Sequence, residues 1–146
     1  MSIPHLYGKF HQSLLNGEIS VAHNWMATLH TSAYTPDIDA HQYQSSLTSE
    51  LATGNGYTAG GLLLESKVLA YDATNDTAWV DCDDLEWPES TLTARYCVIS
   101  DVNSGAAATN PLVGYIDFEA NKSSDNAPFK VTINAAGILR LRATAS

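Results

Sequence analysis

The sequence is poor in positive charge. Seven lysines and arginines stand against 16 aspartates and glutamates in 146 residues, a formal net charge of −9, and no basic cluster interrupts that balance. The electrostatic footprint that engages a phosphate backbone is therefore missing, which argues against nucleic acid as a partner. Long apolar runs are lacking too. No basic start leads into an apolar stretch, so neither a secretory signal nor a membrane span is predicted, and the chain reads as one made soluble and kept soluble, without a membrane partner. Cysteine is scarce: Cys82 and Cys97 are too few for a disulfide framework. Both stand where a small buried residue suits a strand, which predicts free thiols, although a fold that brought them together could bridge them.

The catalytic and cofactor motifs are also missing. His5, His11, His23, His30 and His41 are scattered without an H-E-x-x-H pair, and no serine sits in a G-x-S-x-G elbow. The glycines of "GNGYTAGG" are followed by no Lys-Ser/Thr and form no G-x-G-x-x-G, so they read as turn residues that need positive φ rather than a phosphate cradle. No catalytic, cofactor-binding or metal residue is assigned on these grounds.

What remains is a folded globular composition, 45% apolar and only 16% charged. A chain of this length fits one domain and buries about two-thirds of its unfolded surface. Leu6, Phe10 and Leu14 recur every four residues ahead of Asn16-Gly17, predicting a short amphipathic helix with a left-handed cap. From Val21 to Leu29 the period changes to two, as a strand requires. Beyond a turn-rich stretch, Lys67 to Tyr71 and Thr77 to Cys82 flank "DATND" as a hairpin. "LTARYCVIS", after a break at Pro88, is apolar on both faces and reads as a central strand. "PLVGYIDF" follows, and Phe129, Val131 and Ile133 alternate into "NAAG" and "ILRLRA", predicting a closing hairpin. One helix, about seven short strands and no βαβ rhythm predict an all-β fold. The expected architecture is an antiparallel β-sandwich or barrel-like domain over residues 18–146, with a helical segment over 1–17.

Three stretches carry groups that could do chemistry. "TPDIDAH" sets Asp37, Asp39 and His41 at alternate positions. The calcium-loop glycine and glutamate are absent, so the spacing favours a backbone cap by Asp37 or Asp39 behind Pro36, with Tyr43 and Leu47 on the inner face of the turn that follows. The acidic run "DCDDLEW" (Asp81, Asp83, Asp84, Glu86) could bind calcium or supply paired acids, but suits a solvated edge that discourages sheet pairing. A small hydrolase of cell-wall polymer would need paired carboxylates in a cleft, and Asp83 with Asp117 or Glu119 could be such a pair, though nothing in the sequence places them together. Trp25, Trp79, Trp87 and seven tyrosines could form a sugar platform or pack a core. Trp87, beside Pro88, is the one expected at the surface.

"FHQSLLNGEI", "ATLHTSAYTPDIDAHQYQSSLTSELATGNGYTAGG", "STLTARYCVIS", "NPLVGYIDF" and "AAGILRLRA" together resemble, in order and over nearly the whole chain, a family of small virion structural proteins from tailed bacteriophages. The resemblance implies assembly rather than catalysis and brings no catalytic residues. It implies a capsid decoration (cement) protein, made in the host cytoplasm and placed on the capsid surface, with the major capsid protein as partner and a homotrimer as its form. A tail or fibre component binding a host surface carbohydrate is the alternative. Leu6, Phe10, Leu14 and Trp87 are the expected partner contacts, the first three also fitting a helix that closes one end of the sandwich.

Overall fold

The computed structural model describes residues 4–144. In chain order it has β1 (His5–Leu6), α1 (Phe10–Leu15), β2 (Trp25–His30), a 3-10 turn (Gln44–Ser46), β3 (Leu62–Leu63), β4 (Val68–Asp72), β5 (Thr77–Asp81), β6 (Leu85–Ser90), β7 (Thr93–Asp101), β8 (Leu112–Ser123), β9 (Ala127–Val131) and β10 (Leu139–Arg142). Every pair of adjacent strands is antiparallel. Three sheets result, ordered β1-β8-β7-β2-β3, β10-β5-β4 and β6-β9. The fold is the expected all-β, sandwich-like one with a short helix near the N-terminus. No helix among the described residues is long and apolar enough to cross a membrane.

Alternation dictates the layers. Trp25, Ala27 and Leu29 of β2, Cys97 and Ile99 of β7, and Val113 and Ile116 of β8 form one face of the core. Val80 and Leu139 of the three-stranded sheet, with Leu85, Trp87, Phe129 and Val131 of the two-stranded one, form the other. Behind the five-stranded sheet lies a second cluster of Tyr7, Tyr34, Val98 and Leu112, with Leu47, Tyr96 and Tyr115 against it. β7 is thus covered on both faces, which is why its sequence is apolar on both. Both cysteines are buried and unbridged.

The N-terminal stripe divides between two elements. Leu6 belongs to β1 and pairs with Gly114, while the helix itself is only six residues long. Asn16 donates its N–H to the Gln12 carbonyl at 3.0 Å and Gly17 to that of Leu14 at 3.1 Å. Gly17 takes the expected left-handed conformation at φ +78° and ends the helix.

Three expectations need correction. β2 starts at Trp25 rather than Val21, because a turn in which His23 donates to the Ser20 carbonyl takes the preceding backbone. Pro88 does not break the chain but lies inside β6, where the pairing with β9 shifts register between Trp87 and Ser90. A bulge at that point tolerates the missing N–H. Finally, β9 and β10 form no hairpin. "NAAG" does turn, with Gly137 donating to the Asn134 carbonyl at 2.8 Å, but Ile138 then donates to Val80. The turn hands the chain from one sheet to the other, so β9 pairs with β6 and β10 with β5.

Candidate interaction surface

The "TPDIDAH" stretch is a clasp. Asp37 Oδ1 accepts the N–H groups of Asp39 and Ala40, both at 3.0 Å. These bonds, Ala40 first, hold its carboxyl below the usual carboxylate range. His41 turns its ring the other way: Nδ1 accepts from the Asp37 N–H at 3.3 Å and lies 2.9 Å from the Tyr34 hydroxyl. Tyr34 is in turn 2.7 Å from the buried Tyr7 hydroxyl. Burial is the main cause that raises both phenols above their ordinary range. Asp39 is exposed. The capping reading describes this site, and the relay through Tyr34 and Tyr7 ties the connection after β2 to the back of the five-stranded sheet. Among the described residues, no three His, Cys, Asp or Glu converge as metal ligands.

Further along, His30 Nδ1 donates to the Thr48 carbonyl and its Nε2 accepts from the Thr28 hydroxyl, both at 2.8 Å. A threonine beside an oriented histidine has the geometry of a nucleophile and base. Both side chains are nonetheless buried, and desolvation lowers the pKa of the ring, so the pair serves to anchor residues 48–50. Next to it, Glu50 Oε2 accepts from the Tyr57 hydroxyl at 2.6 Å and the Gly60 N–H at 2.7 Å, holding the "GYTAGG" loop on the sheet edge. Asp101, fully buried, accepts from His23 Nδ1 at 2.7 Å and from the backbone of Ser20 and Asn103.

The acidic run marks a corner between sheets rather than one edge. Asp81 caps Cys82, Asp84 Oδ1 accepts from Ile133 at 2.8 Å, and Asp83 is exposed between β5 and β6. Asp117 belongs to the middle of β8, where Arg95 Nε meets it at 2.7 Å. That guanidinium is the main cause that holds the Asp117 carboxyl below its ordinary range. Asp117, one of the two carboxylates weighed as a partner for Asp83, is thus held in an ion pair.

Of the expected contact residues, Trp87, read as the tryptophan at the surface, is instead buried. Phe10 is only 2% and Trp87 only 3% exposed, while Leu6 and Leu14 pack against the same core. Trp87 lies between Tyr57 and Phe129, with ring centroids at 5.9 and 6.0 Å, because the Pro88 bulge leaves its side chain on the inward side of β6. Trp25 is buried and Trp79 half-buried. The rings proposed for sugar stacking are therefore largely core.

Exposed apolar side chains occur singly at Leu15, Ile38 and Leu63 and together on β4. Val68 is 51% exposed, Leu69 61% and Tyr71 62%. β4 is an edge strand, paired on one side only with β5. Leu69 also lines a groove of about 200 Å³ between α1 and the inner face of this sheet, bounded by Leu14, Val21, Trp25, Val80 and Leu141. Single exposed apolar residues are ordinary, but here three fall within four residues along an unpaired backbone, Leu69 and Tyr71 on one face and Val68 on the other. Nothing in the chemistry-bearing motifs pointed there. The available signal was "VLAY", four apolar residues with no proline or charge on a strand whose hairpin position made it an edge.

Comparison with protein-family models, with curated proteins and with solved structures returned no match.

Proposed function

We propose that this chain is a virion structural protein of a tailed phage, a capsid decoration protein that binds the major capsid protein as an oligomer, stabilises the lattice and performs no chemistry. The observation that carries this reading is the unpaired apolar edge of β4, which suits pairing with a strand of a second copy and so supports an oligomer that engages a lattice at several points. The groups that sequence reasoning weighed for catalysis or metal binding support it indirectly. Asp37, His41, His30 and Asp117 each hold the fold together through hydrogen bonds or an ion pair. The family resemblance of the sequence supports the virion setting. A carbohydrate-binding tail role draws less support, since Trp25 and Trp87 are buried. A domain this small gains affinity on a lattice by engaging several subunits at once, through effective concentration.

Densitometry of purified particles tests the proposal. A decoration protein is present in hundreds of copies per virion, whereas a few to tens of copies would assign it to the tail and overturn the capsid reading.

A further inference from the structure

Edge strands need protection from unwanted pairing, and the described edges of this fold show it in all but one place. β1 and β3 are two residues long, β6 carries Glu86, Pro88 and Glu89, and β9 carries Pro128 and Lys130. Short length, proline and charge are the usual devices. β10, one edge of the three-stranded sheet, presents exposed Arg140 and Arg142. β4, the other edge, has no such device between Val68 and Tyr71.

The two edges of this sheet match each other. Through β5, Leu139, Val80 and Leu69 lie in one cross-strand row, and Leu141, Ala78 and Tyr71 in another. Both rows face the core side, where they line or adjoin the groove. In the alternate rows Arg140 lies level with Ala70, and Arg142 with Asp72. Among the described residues neither arginine is in an ion pair, and β4 carries Asp72. One edge therefore carries two arginines and the other an aspartate level with one of them, with apolar rows in the same register. Asp72 is held ready: its carboxylate accepts from Asn75 Nδ2 at 2.7 Å and Thr74 N–H at 2.9 Å, and these bonds, Asn75 first, keep it ionised.

We infer that β4 of one copy pairs with β10 of a second copy, head to tail, so that the three-stranded sheet continues from subunit to subunit. β4 and β10 are each antiparallel to β5 and so parallel to one another. Rotation about an axis along the strands keeps them parallel, and a head-to-tail contact of this kind gives a ring where the rotation closes and an open filament where it does not. In the register already present within the sheet, Leu69 and Tyr71 meet Leu139 and Leu141 of the second copy, and Asp72 meets its Arg142. The exposed apolar side chains of β4 are covered, and both edges lose their unpaired backbone groups.

The test uses the purified chain, so its failure is separable from failure of the capsid reading. Sedimentation of the wild type across a concentration series should give a mass well above the 15.7 kDa monomer. Leu69→Lys spoils the β4 edge and Arg142→Glu the β10 edge. Each variant should stay monomeric with an unchanged circular dichroism spectrum, both positions being exposed. Mixed, they should form a one-to-one dimer, because the first still offers an intact β10 and the second an intact β4. A monomeric wild type, or a Leu69→Lys variant that associates like wild type, overturns the inference. So does an Arg142→Glu variant that associates like wild type, the result expected if β4 pairs with another β4. Asp72→Lys combined with Arg142→Glu restores the ion pair in reverse and should recover association that Arg142→Glu alone loses.

Discussion

Replacing Phe10 by alanine separates a helix that completes the core from an arm that reaches for a partner. Phe10 is 2% exposed in α1 and packs with the main core. Truncating a buried phenylalanine costs about 3–5 kcal/mol, the transfer term plus the cavity left behind. Phe10 also lines the 200 Å³ groove, so the new space opens onto an existing one and water reaches part of it. That geometry points to the lower half of the range, about 3–4 kcal/mol. For a chain of this size each kcal/mol shifts the melting temperature by about 2–4 °C, so the variant should melt roughly 6 to 16 °C lower. Leu15→Ala, in the same helix but 88% exposed, is the control and should move by under about 2 °C, since such surface changes fall within about 0.5 kcal/mol. Thermal denaturation followed by circular dichroism reads both. If Phe10→Ala melts with the wild type, the helix is not part of the core and the placement of residues 10–15 is wrong.

Three further outcomes follow from the same physics. Gly61 has φ +81°, and a Cβ there would collide with the Ala27 carbonyl, whereas Gly60, at φ +100°, faces open space. Gly61→Ala should therefore cost about 3 kcal/mol or more, and Gly60→Ala only about 1–2 kcal/mol of backbone strain; equal urea midpoints would contradict the β2–β3 contact. Burial lowers the His30 pKa from 6.5, so its stabilisation is complete above that value. It is lost as pH falls through the window below, where the unfolded chain takes a proton that the folded one refuses. His30→Gln should remove this step, leaving the acid loss below about 3.8 to which Asp37, Asp72 and Asp117 contribute, and a wild type with a flat midpoint between about pH 7 and 5 would refute it. Burial pushes the Cys82 and Cys97 thiols up to about 12, so a thiol reagent should label neither quickly in the native state and both after denaturation without reduction; rapid native labelling would show an open core.

Much of this fold was legible because burial follows period. β7 reads as central from apolar residues on both faces, and the β4–β5 hairpin from two alternating runs around "DATND". Pairing partners were harder to read. Phe129, Val131 and Ile133 alternate as expected, yet alternation states which face is buried and not which strand lies alongside. "NAAG" makes the turn a hairpin would need, and only the long-range bond from Ile138 to Val80 shows that the chain crosses to another sheet. Trp87 was misplaced for a similar reason: proline next to it reads as a break, while the β9 partner accommodates it as a bulge. Asp37 was legible as a cap because its bonds reach only two and three residues ahead. The exposed face of β4 was not, because an apolar strand looks the same in sequence whether a neighbour covers it or not.

The pairing of β1 with β8 has a consequence for how the chain acquires its structure. His5 is held by Tyr115 and Leu6 by Gly114, about 110 residues further on. At ribosomal rates of about 5–20 residues per second, the first strand emerges on the order of 5–20 s before its partner exists. Through that interval Tyr7, destined for full burial, lacks Leu112 and Tyr115, part of the surface that covers it. The β4–β5 hairpin, closed over four residues, can form as soon as it is made. Folding can therefore begin in the middle of the chain, while β1, translated before the rest of this fold, waits for β8.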